Sequence, residues 1–486
     1  QTLQEEGVEF ARMHVRGSMQ HRLIWFRDDL RLTDHAAWTA ATQDVTNAKL
    51  SAVFLTADAD WAEFGYGANR LWFTEQLLRH LSQTLAAQGV QLQVIRLQTY
   101  QEQTDWMTRF CQTEAVTDLY FNQEYQVNER RRDLAVMNGL GADTQVHSFV
   151  DRVILQPGEV KTGDDRFYGV FSPFKRRWLS TLQNATYAPY RPQSTERAPV
   201  TALDWAPLAD HPDSDLNHLA LTEQDAQERL DAFIDRALLD YAHARNNPAI
   251  AGTSRLSPYL ARGLLSPRQC IARAEKKLDR PIWDFPDPAF SWINELIWRD
   301  FYHHLLVGFP RLSKNRAFQP HTETMIWRND PDEIEAWKHG QTGIPIVDAG
   351  MRELIQSGWM HNRVRMIVAQ FLTKNLLVDW RIGERYFMRY LVDSDLGANN
   401  GGWQWSASTG TDAAPYFRVF NPVSQSETHD ADGLYLTRWI PELHALPPKK
   451  RHAPWTTTPP VGYPPPIVDL KATRARAIAA FKELPK

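Results

Sequence analysis

Cysteine is almost missing from this chain: 486 residues contain two, Cys111 and Cys270, far apart. That argues against a disulfide framework or a cysteine-rich zinc site, and it fits a reducing compartment. No metal centre is expected. Long apolar runs are missing too. None reaches the ~20 residues that a membrane-spanning helix needs, so no membrane partner is expected. Nor is there an excess of positive charge. Fifty-four Lys and Arg stand against 58 Asp and Glu, for a net charge of −4, so any nucleic-acid binding must come from a local patch. The first strand–helix turn also lacks G-x-G-x-x-G, which argues against a classical dinucleotide site there.

What is present is length for two sizeable domains, globular composition, and 18 Trp. Residues 1–18, "QTLQEEGVEFARMHVRGS", read as a leader, with Met19 as the natural start. The pattern then alternates. "HRLIWF" (21–26) is a strand, and Asp34 is placed to cap the helix after it. "KLSAVFLT" (49–56) is a second strand, and a helix over 68–89 ends on Gly89. "QLQVIRL", a helix near 101–114, "TDLYFN", a helix from Asn128 and "TQVHSFV" continue the series. The reading for 19–150 is an α/β domain with a doubly wound, Rossmann-like parallel sheet. From 151 to 220, seven prolines between Pro157 and Pro212 break the periodicity. This is a long surface connector with one local helix near 172–185. From 221 to about 450 the periodicity is helical, without internal repeats, and the reading for 221–486 is an all-helical domain.

Several segments carry candidate chemistry. In "GTSRLSPYLARGLLSPRQC" (252–270), Ser257-Pro258 and Ser266-Pro267 each look like an N-cap followed by proline. Hydroxyls at a helix start suit a phosphate, though two ordinary caps explain them as well. In "WINELIWRDFYHH" (292–304), Trp292, Glu295 and Arg299 share a helical face, as do Glu295, Trp298 and Tyr302. This is either a carboxylate in an aromatic pocket or a core helix with a Glu295–Arg299 pair. "GWMHNRVRM" (358–366) places Trp359, Asn362 and Met366 on one stripe beside Arg363 and Arg365, which suits a base and its phosphate. His361 reads as a hydrogen-bonded rather than a catalytic histidine. Trp327, Trp380 and Trp403 lie in separate segments, and spacing does not show that they touch. "LGANNGGWQWSASTGTDAAPYFRVFNP" (396–422) has the composition of neither a buried helix nor a solvated loop.

Taken together, "WFRDDLRLTDH", "GTSRLSPYLARGLLSPRQ", "WINELIWRDFYHHLL", the long motif at 342–387 and "DLGANNGGWQWSASTGTDAAPYFRVFNP" resemble the photolyase/cryptochrome family, most closely its bacterial class I cyclobutane pyrimidine dimer photolyases. The resemblance implies FAD held in a U shape by the helical domain. Tyr241, Arg245, Thr253, Ser254, Leu256 and Ser257 match the segment around the pyrophosphate and ribityl chain. Trp292 and Arg299 match lining positions, and Arg365, Asp393 and Asp395 the flavin-edge network. Asn399 matches the residue facing flavin N5. Trp403, Trp380 and Trp327 match an electron-transfer chain. The implied activity is light-dependent DNA repair, in which reduced FAD passes an electron to a flipped-out dimer and splits it. Trp298 and Trp405 then serve as aromatic walls, Glu295 and Asn362 meet base edges, Met366 fills the gap, and Arg363 and Arg418 grip phosphates.

The same resemblance implies a 5,10-methenyltetrahydrofolate antenna, with Asn128, Glu129 and Lys314 at its contacts. The chain departs from the family in the loop after the second strand, where Phe64 replaces a histidine. The implied partner is double- or single-stranded DNA containing pyrimidine dimers, met by a monomer in the bacterial cytoplasm and at the nucleoid. A cryptochrome photoreceptor and a (6-4) photolyase are the alternatives. Asn399 opposes the first, since plant and animal cryptochromes carry Asp and Cys there. Asn362 and Met366 oppose the second, which places His at both. Glu295, Trp298 and Trp405 together oppose a flavoprotein that has lost repair.

Overall fold

The computed structural model describes residues 19–485; the leader expected at 1–18 lies outside the described residues. Five parallel strands, β1 (Gln20–Phe26), β2 (Ala48–Leu55), β3 (Leu92–Ile95), β4 (Asp118–Asn122) and β5 (Gln145–Phe149), form one sheet in the order β3-β2-β1-β4-β5. Their apolar runs are continuous because both faces are covered. Leu23, Trp25, Val53 and Leu55 pack with Met107, Cys111 and Val136. Ile24, Phe26, Ala52 and Phe54 pack with Phe73, Leu77 and Leu81 of the Ala68–Ala87 helix. Chain order reverses between β1 and β4, so a crevice opens beyond the carboxyl ends of those strands.

The expected strands are all formed, and the helices between them include Tyr100–Thr113 and Val127–Gly139. Gly89, at φ +75°, follows the C-cap Gln88 in the left-handed conformation that ends helices. Asp34 does not cap the next helix, Ala36–Ala41; the neighbouring His35 does, its ring accepting from the Trp38 N–H at 3.0 Å. Asp34 instead turns its carboxylate toward Arg268 at 3.1 Å and the Tyr190 N–H at 2.7 Å.

The segment after β5 carries a helix, Phe171–Leu182, and runs without another until Glu223–Arg236. Phe171, Phe174, Trp178 and Leu182 bury one face of that first helix against Phe301 and its neighbours. From residue 223 onward all described elements are helical. The long Asp287–Gly308 helix is the spine, meeting the connector helix, the short Tyr241–Ala244 helix and the Leu396–Ser406 helix. A separate core surrounds Trp337, Trp380, Phe387 and Trp403. No helix among the described residues is long and apolar enough to cross a membrane.

Leu396–Ser406 is itself a finding, because its composition argued against a buried helix. It is an α-helix with Gly397, Asn400, Trp403, Gln404 and Ser406 buried, capped by Asp395, which accepts from the Ala398 N–H at 3.2 Å. Close approach explains the glycines. A Cβ on Gly401 would stand 2.2 Å from the Tyr302 ring, and one on Gly383, across the way, 2.1 Å from the Trp403 indole. The helix trades propensity for contact with the spine.

Candidate functional site

Two carboxylates flank the start of the Leu396–Ser406 helix. Asp393 accepts from Arg365 at 2.8 and 3.3 Å and from the Ser257 hydroxyl at 2.6 Å. Ser257 is therefore not the N-cap its spacing predicts: Leu256 stands there and makes no side-chain cap. Ser266 does cap its helix, in a reciprocal capping box with Gln269. Asp395 accepts from Arg152 at 2.6 Å. Burial opposes its charge, but the neighbouring cationic side chains outweigh that and hold the carboxyl well below the usual range. Burial also pulls His303 down to about 3. At neutral pH the imidazole is uncharged, so Arg152 and Arg299 supply the attraction.

Arg299 makes no pair with Glu295. It donates to the backbone carbonyls of Arg152 and, at 3.2 Å, Leu260, and burial together with Arg152 lowers it to about 10. Glu295 pairs with Arg245 at 2.8 Å, both partly exposed. Burial works against the Arg245 charge and Glu295 more than restores it, so its pKa is raised. Asn399 donates to the Glu384 backbone carbonyl at 3.0 Å, and Asn400 to the Glu384 carboxyl at 2.7 Å. Burial pushes that carboxyl up to about 7.

Around this network Tyr241 is buried beneath the Arg245 guanidinium at 5.2 Å, and Trp292 packs on Phe233 at 5.1 Å. Leu256 is buried, while Thr253 and Ser254 are partly exposed. Asn294 Oδ1 and Trp403 Nε1 are buried without a partner, and a Cβ on Gly402 would meet nothing within 4 Å. Hydroxyls, an arginine–carboxylate pair, orphaned polar atoms and an open helix face fit a large polar cofactor such as FAD.

The expected lesion residues other than Arg418 come from three helices, Asp287–Gly308, Asn362–Gln370 and Leu396–Ser406. Trp298 is partly exposed, and Phe171 stacks flat on it, with centroids 3.7 Å apart and 9° between the planes. Trp405 is partly exposed beside Phe420 at 6.4 Å. Asn362 and Met366 lie one turn apart, their amide and sulfur 3.9 Å apart. Trp359 is not on that helical stripe. The helix begins at Asn362, and His361 caps it by accepting from the Arg363 N–H at 3.1 Å. Burial brings His361 down to about 4, which leaves the cap neutral. Arg363 donates to Asn246 at 3.0 Å, and its pKa is lowered by burial and by Arg245. Arg418 is exposed beside Phe417.

Trp403 is buried, edge-on to Phe387 at 4.9 Å and to Trp337 at 5.9 Å. Trp380 is buried in the same core, under Arg381 at 4.5 Å, and Trp327 lies at its margin, 6.2 Å from Phe481. Among the described residues the ring neighbours of Trp403 thus include Trp337, which sequence reasoning passed over.

Beyond the carboxyl ends of β1 and β4 lies a cavity whose walls include Trp25, Arg27, Tyr66, Tyr100, Glu129 and Arg132. Glu129 accepts from the Tyr100 hydroxyl at 2.6 Å, and burial raises its carboxyl to about 7. Phe64 stacks on Tyr100 at 6.2 Å. Asn128 stands where the Val127 N–H reaches Ser313 at 3.4 Å, beside the turn that carries exposed Lys314. Arg27 had no sequence signal, since its partner Asp133 meets it only once the sheet is formed, whereas Arg132 pairs with the nearby Glu124.

A crevice at a sheet's switch point, joined to a helical body with a polar site suited to a cofactor, defines a two-domain cofactor protein. The profile described as "DNA photolyase" matches residues 22–194, and that of the "FAD binding domain of DNA photolyase" matches 292–483. Deoxyribodipyrimidine photo-lyase of Escherichia coli (strain K12) is 41% identical over 474 residues, covering 96% of this chain and 99% of the relative. The structure of a bacterial class III photolyase from Agrobacterium tumefaciens matches with a TM-score of 0.85 at 32% identity, over 97% of this chain and 99% of that one. A Synechocystis cryptochrome matches with a TM-score of 0.83 at 26% identity, over 96% and 100%. The chain belongs to the DNA photolyase family.

Proposed function

We propose that this chain is a light-driven DNA repair enzyme that splits cyclobutane pyrimidine dimers. The observation that carries the reading is the joining of Arg365, Asp393 and Ser257 into one network at the foot of the helix that also bears Asn399, Trp403 and Trp405. FAD, when bound and reduced, supplies the photoexcited electron that opens the dimer, which breaks two C–C bonds and returns the electron. The protein's work is to bind, orient and insulate. Thr253, Ser254, Leu256, Ser257, Tyr241 and Arg245 hold the cofactor's phosphates and sugar chain, with Trp292 and Arg299 along its length. The Arg365–Asp393 pair, Asp395 and Asn399 would hold its ring system.

On the substrate side, Trp298 and Trp405 stack the extruded pyrimidines, a contact worth about 1–3 kcal/mol per base. Glu295 and Asn362 meet their polar edges, with Met366 filling the space beside them. Arg363 and Arg418 hold the neighbouring phosphates. Trp403, Trp380 and Trp327 carry electrons inward from the surface. Asn128, Glu129 and Lys314 line a folate antenna site between the α/β domain (19–150) and the cofactor- and DNA-binding domain (221–486), which are joined by the 151–220 linker. The protein acts as a monomer in the bacterial cytoplasm, on double- or single-stranded DNA.

The test is illumination of reduced holoprotein with dimer-containing oligonucleotide, following the return of thymine absorbance. Recovery under light and none in the dark is expected. A flavin-loaded protein that leaves the absorbance unchanged would overturn the repair reading in favour of a light-sensing role.

A further inference from the structure

Trp298 gains its flattest neighbour from outside its own helix. Phe301 meets it at 68° and Tyr302 at 37°, whereas Phe171 lies at 9° and 3.7 Å, covering one face of the indole. Lys175 stands 5.8 Å from the Phe171 ring. Phe171 is buried, while Trp298 keeps part of its surface open. The result is a ring supported on one face by Phe171 and still partly open to solvent.

The same few connector residues also reach the loop that follows the other tryptophan. The Phe171 N–H donates to Asp412 at 3.4 Å, and the Gly169 carbonyl accepts from the Thr411 hydroxyl. That loop returns at once to Trp405, whose carbonyl accepts from the Ala414 N–H at 3.2 Å. The Gly169–Phe171 junction therefore touches Trp298 by stacking and the Trp405 loop by hydrogen bonds.

We infer that Phe171 is a positioning residue for dimer recognition, and that the Gly169–Phe171 junction of the interdomain connector sets the placement of the two aromatic walls relative to each other. The inference rests on the proposed role of Trp298 and Trp405 as those walls. An unsupported indole on a helix surface turns about χ1 and χ2. A flat partner restricts it to one plane, and a stacking site is effective only when its rings are held before the base arrives. Phe171 touches no substrate; it acts through Trp298. The connector thereby belongs to the recognition site as well as to the chain path between domains.

The experiment compares FAD-loaded wild type with Phe171→Met, Phe171→Tyr, Asp412→Ala and Trp298→Ala. Affinity is measured for a dimer-containing and for an undamaged oligonucleotide, alongside thermal stability and flavin content. Phe171→Met keeps apolar volume but loses the plane. It is expected to weaken dimer binding roughly three- to tenfold, the range that aromatic-pair geometry supplies. Binding to undamaged DNA should stay unchanged, and Phe171→Tyr should restore the wild-type ratio. Asp412→Ala, at an exposed position, should lower the same ratio by roughly twofold, one hydrogen bond being lost. It decides the matter should Phe171→Met fail to fold.

If Trp298→Ala weakens dimer binding while Phe171→Met and Asp412→Ala leave the damaged-to-undamaged ratio at the wild-type value, Phe171 is a core residue and the inference is wrong. An equal loss for both oligonucleotides has the same meaning. If Trp298→Ala itself leaves dimer binding intact, the wall assignment fails, and the positioning role with it.

Discussion

At the carboxyl edge of the sheet, charge is locked to charge. Arg27 meets Asp133 at 2.7 Å, Arg132 pairs with Glu124, and Asp151 sits between Arg31 at 2.8 Å and Arg268 at 2.6 Å, all largely buried. Around the Leu396–Ser406 helix the polar groups are arranged otherwise. Thr253 and Ser254 stay partly exposed, Asn294 and Trp403 carry unpartnered atoms, and the Glu295–Arg245 pair is open to solvent. The Asp151 pairs tie the sheet edge to the helical domain through Arg268, whereas polar groups left open or unpartnered are free to take a ligand. Substitutions in the first region should therefore change stability with little effect on chemistry, and those in the second should do the reverse.

The sharpest test is Trp403→Phe. Trp403 is packed against Phe387, Trp337 and the Gly383 backbone, so the smaller ring leaves a partial void costing about 1–2 kcal/mol. Photoreduction of the oxidised cofactor by an external donor should nevertheless fall at least about a hundredfold, as expected when a single electron hop becomes a tunnelling step several ångströms longer, each factor of ten equivalent to about 1.4 kcal/mol of barrier. Repair by protein already reduced should continue. Photoreduction near the wild-type rate would reduce Trp403 to a core residue and blur the contrast between the regions.

Asp151→Asn probes the opposite corner. It leaves Arg31 and Arg268 short of an anion in a buried setting, and breaking such a pair costs roughly 3–5 kcal/mol. Repair per folded, flavin-loaded molecule should stay at the wild-type level. Burial alone would raise the Asp151 carboxyl, but Arg31 and Arg268 outweigh it and depress the folded-state value. A depressed carboxyl contributes stability that is present above its unfolded value, near ~4, and is lost as pH falls through the folded value. Wild type should thus lose stability steeply below about pH 4, and Asp151→Asn less steeply, as read by thermal melts across that range.

Glu295→Ala comes next in size. Its partner is Arg245 in a half-open setting, so the stability cost should stay below about 1 kcal/mol. Repair yield per absorbed photon should drop several-fold, because a charge-assisted hydrogen bond to a developing charge helps the reacting dimer more than the bound one. A variant that melts early yet repairs at full yield would make Glu295 structural.

That partner marks where sequence reading stopped. Spacing on one helix offered Arg299, four residues on, and could not offer Arg245, which arrives from a separate short helix. Local signals carried what is local: the alternating strands, the Ser266 capping box, the left-handed Gly89. They failed where a tertiary partner outbid the local one. Ser257 leaves its cap for Asp393, Asp34 gives up the cap to His35 and turns to Arg268, and the glycine-rich 396–406 stretch becomes helical because Tyr302 lies against it. Stacking of Phe171 on Trp298 joins residues more than a hundred positions apart and leaves no local trace. The residues proposed for cofactor and lesion came from family motifs, which lie in continuous segments. Arg27 was not legible, because its partner Asp133 comes from a distant segment.

The smallest effect expected is at Arg363. It is partly buried, donates to Asn246 at 3.0 Å, and lies beside Arg245, whose charge adds to burial in lowering its pKa. A guanidinium crowded by a second cation, with an amide oxygen as its partner, is poorly neutralised in the free protein, and a DNA phosphate would relieve both conditions. The chain's net charge of −4 supplies no general attraction, so each local contact should be visible in the salt dependence. Arg363→Ala should weaken binding of dimer-containing and undamaged DNA alike, and should flatten the plot of log affinity against log salt by about one unit if one phosphate is lost. Stability should hardly change, because the Asn246 amide returns to water. An unchanged slope would show that Arg363 serves Asn246 alone, and would move the polar region of the helical domain one residue closer in character to the sealed network at the sheet edge.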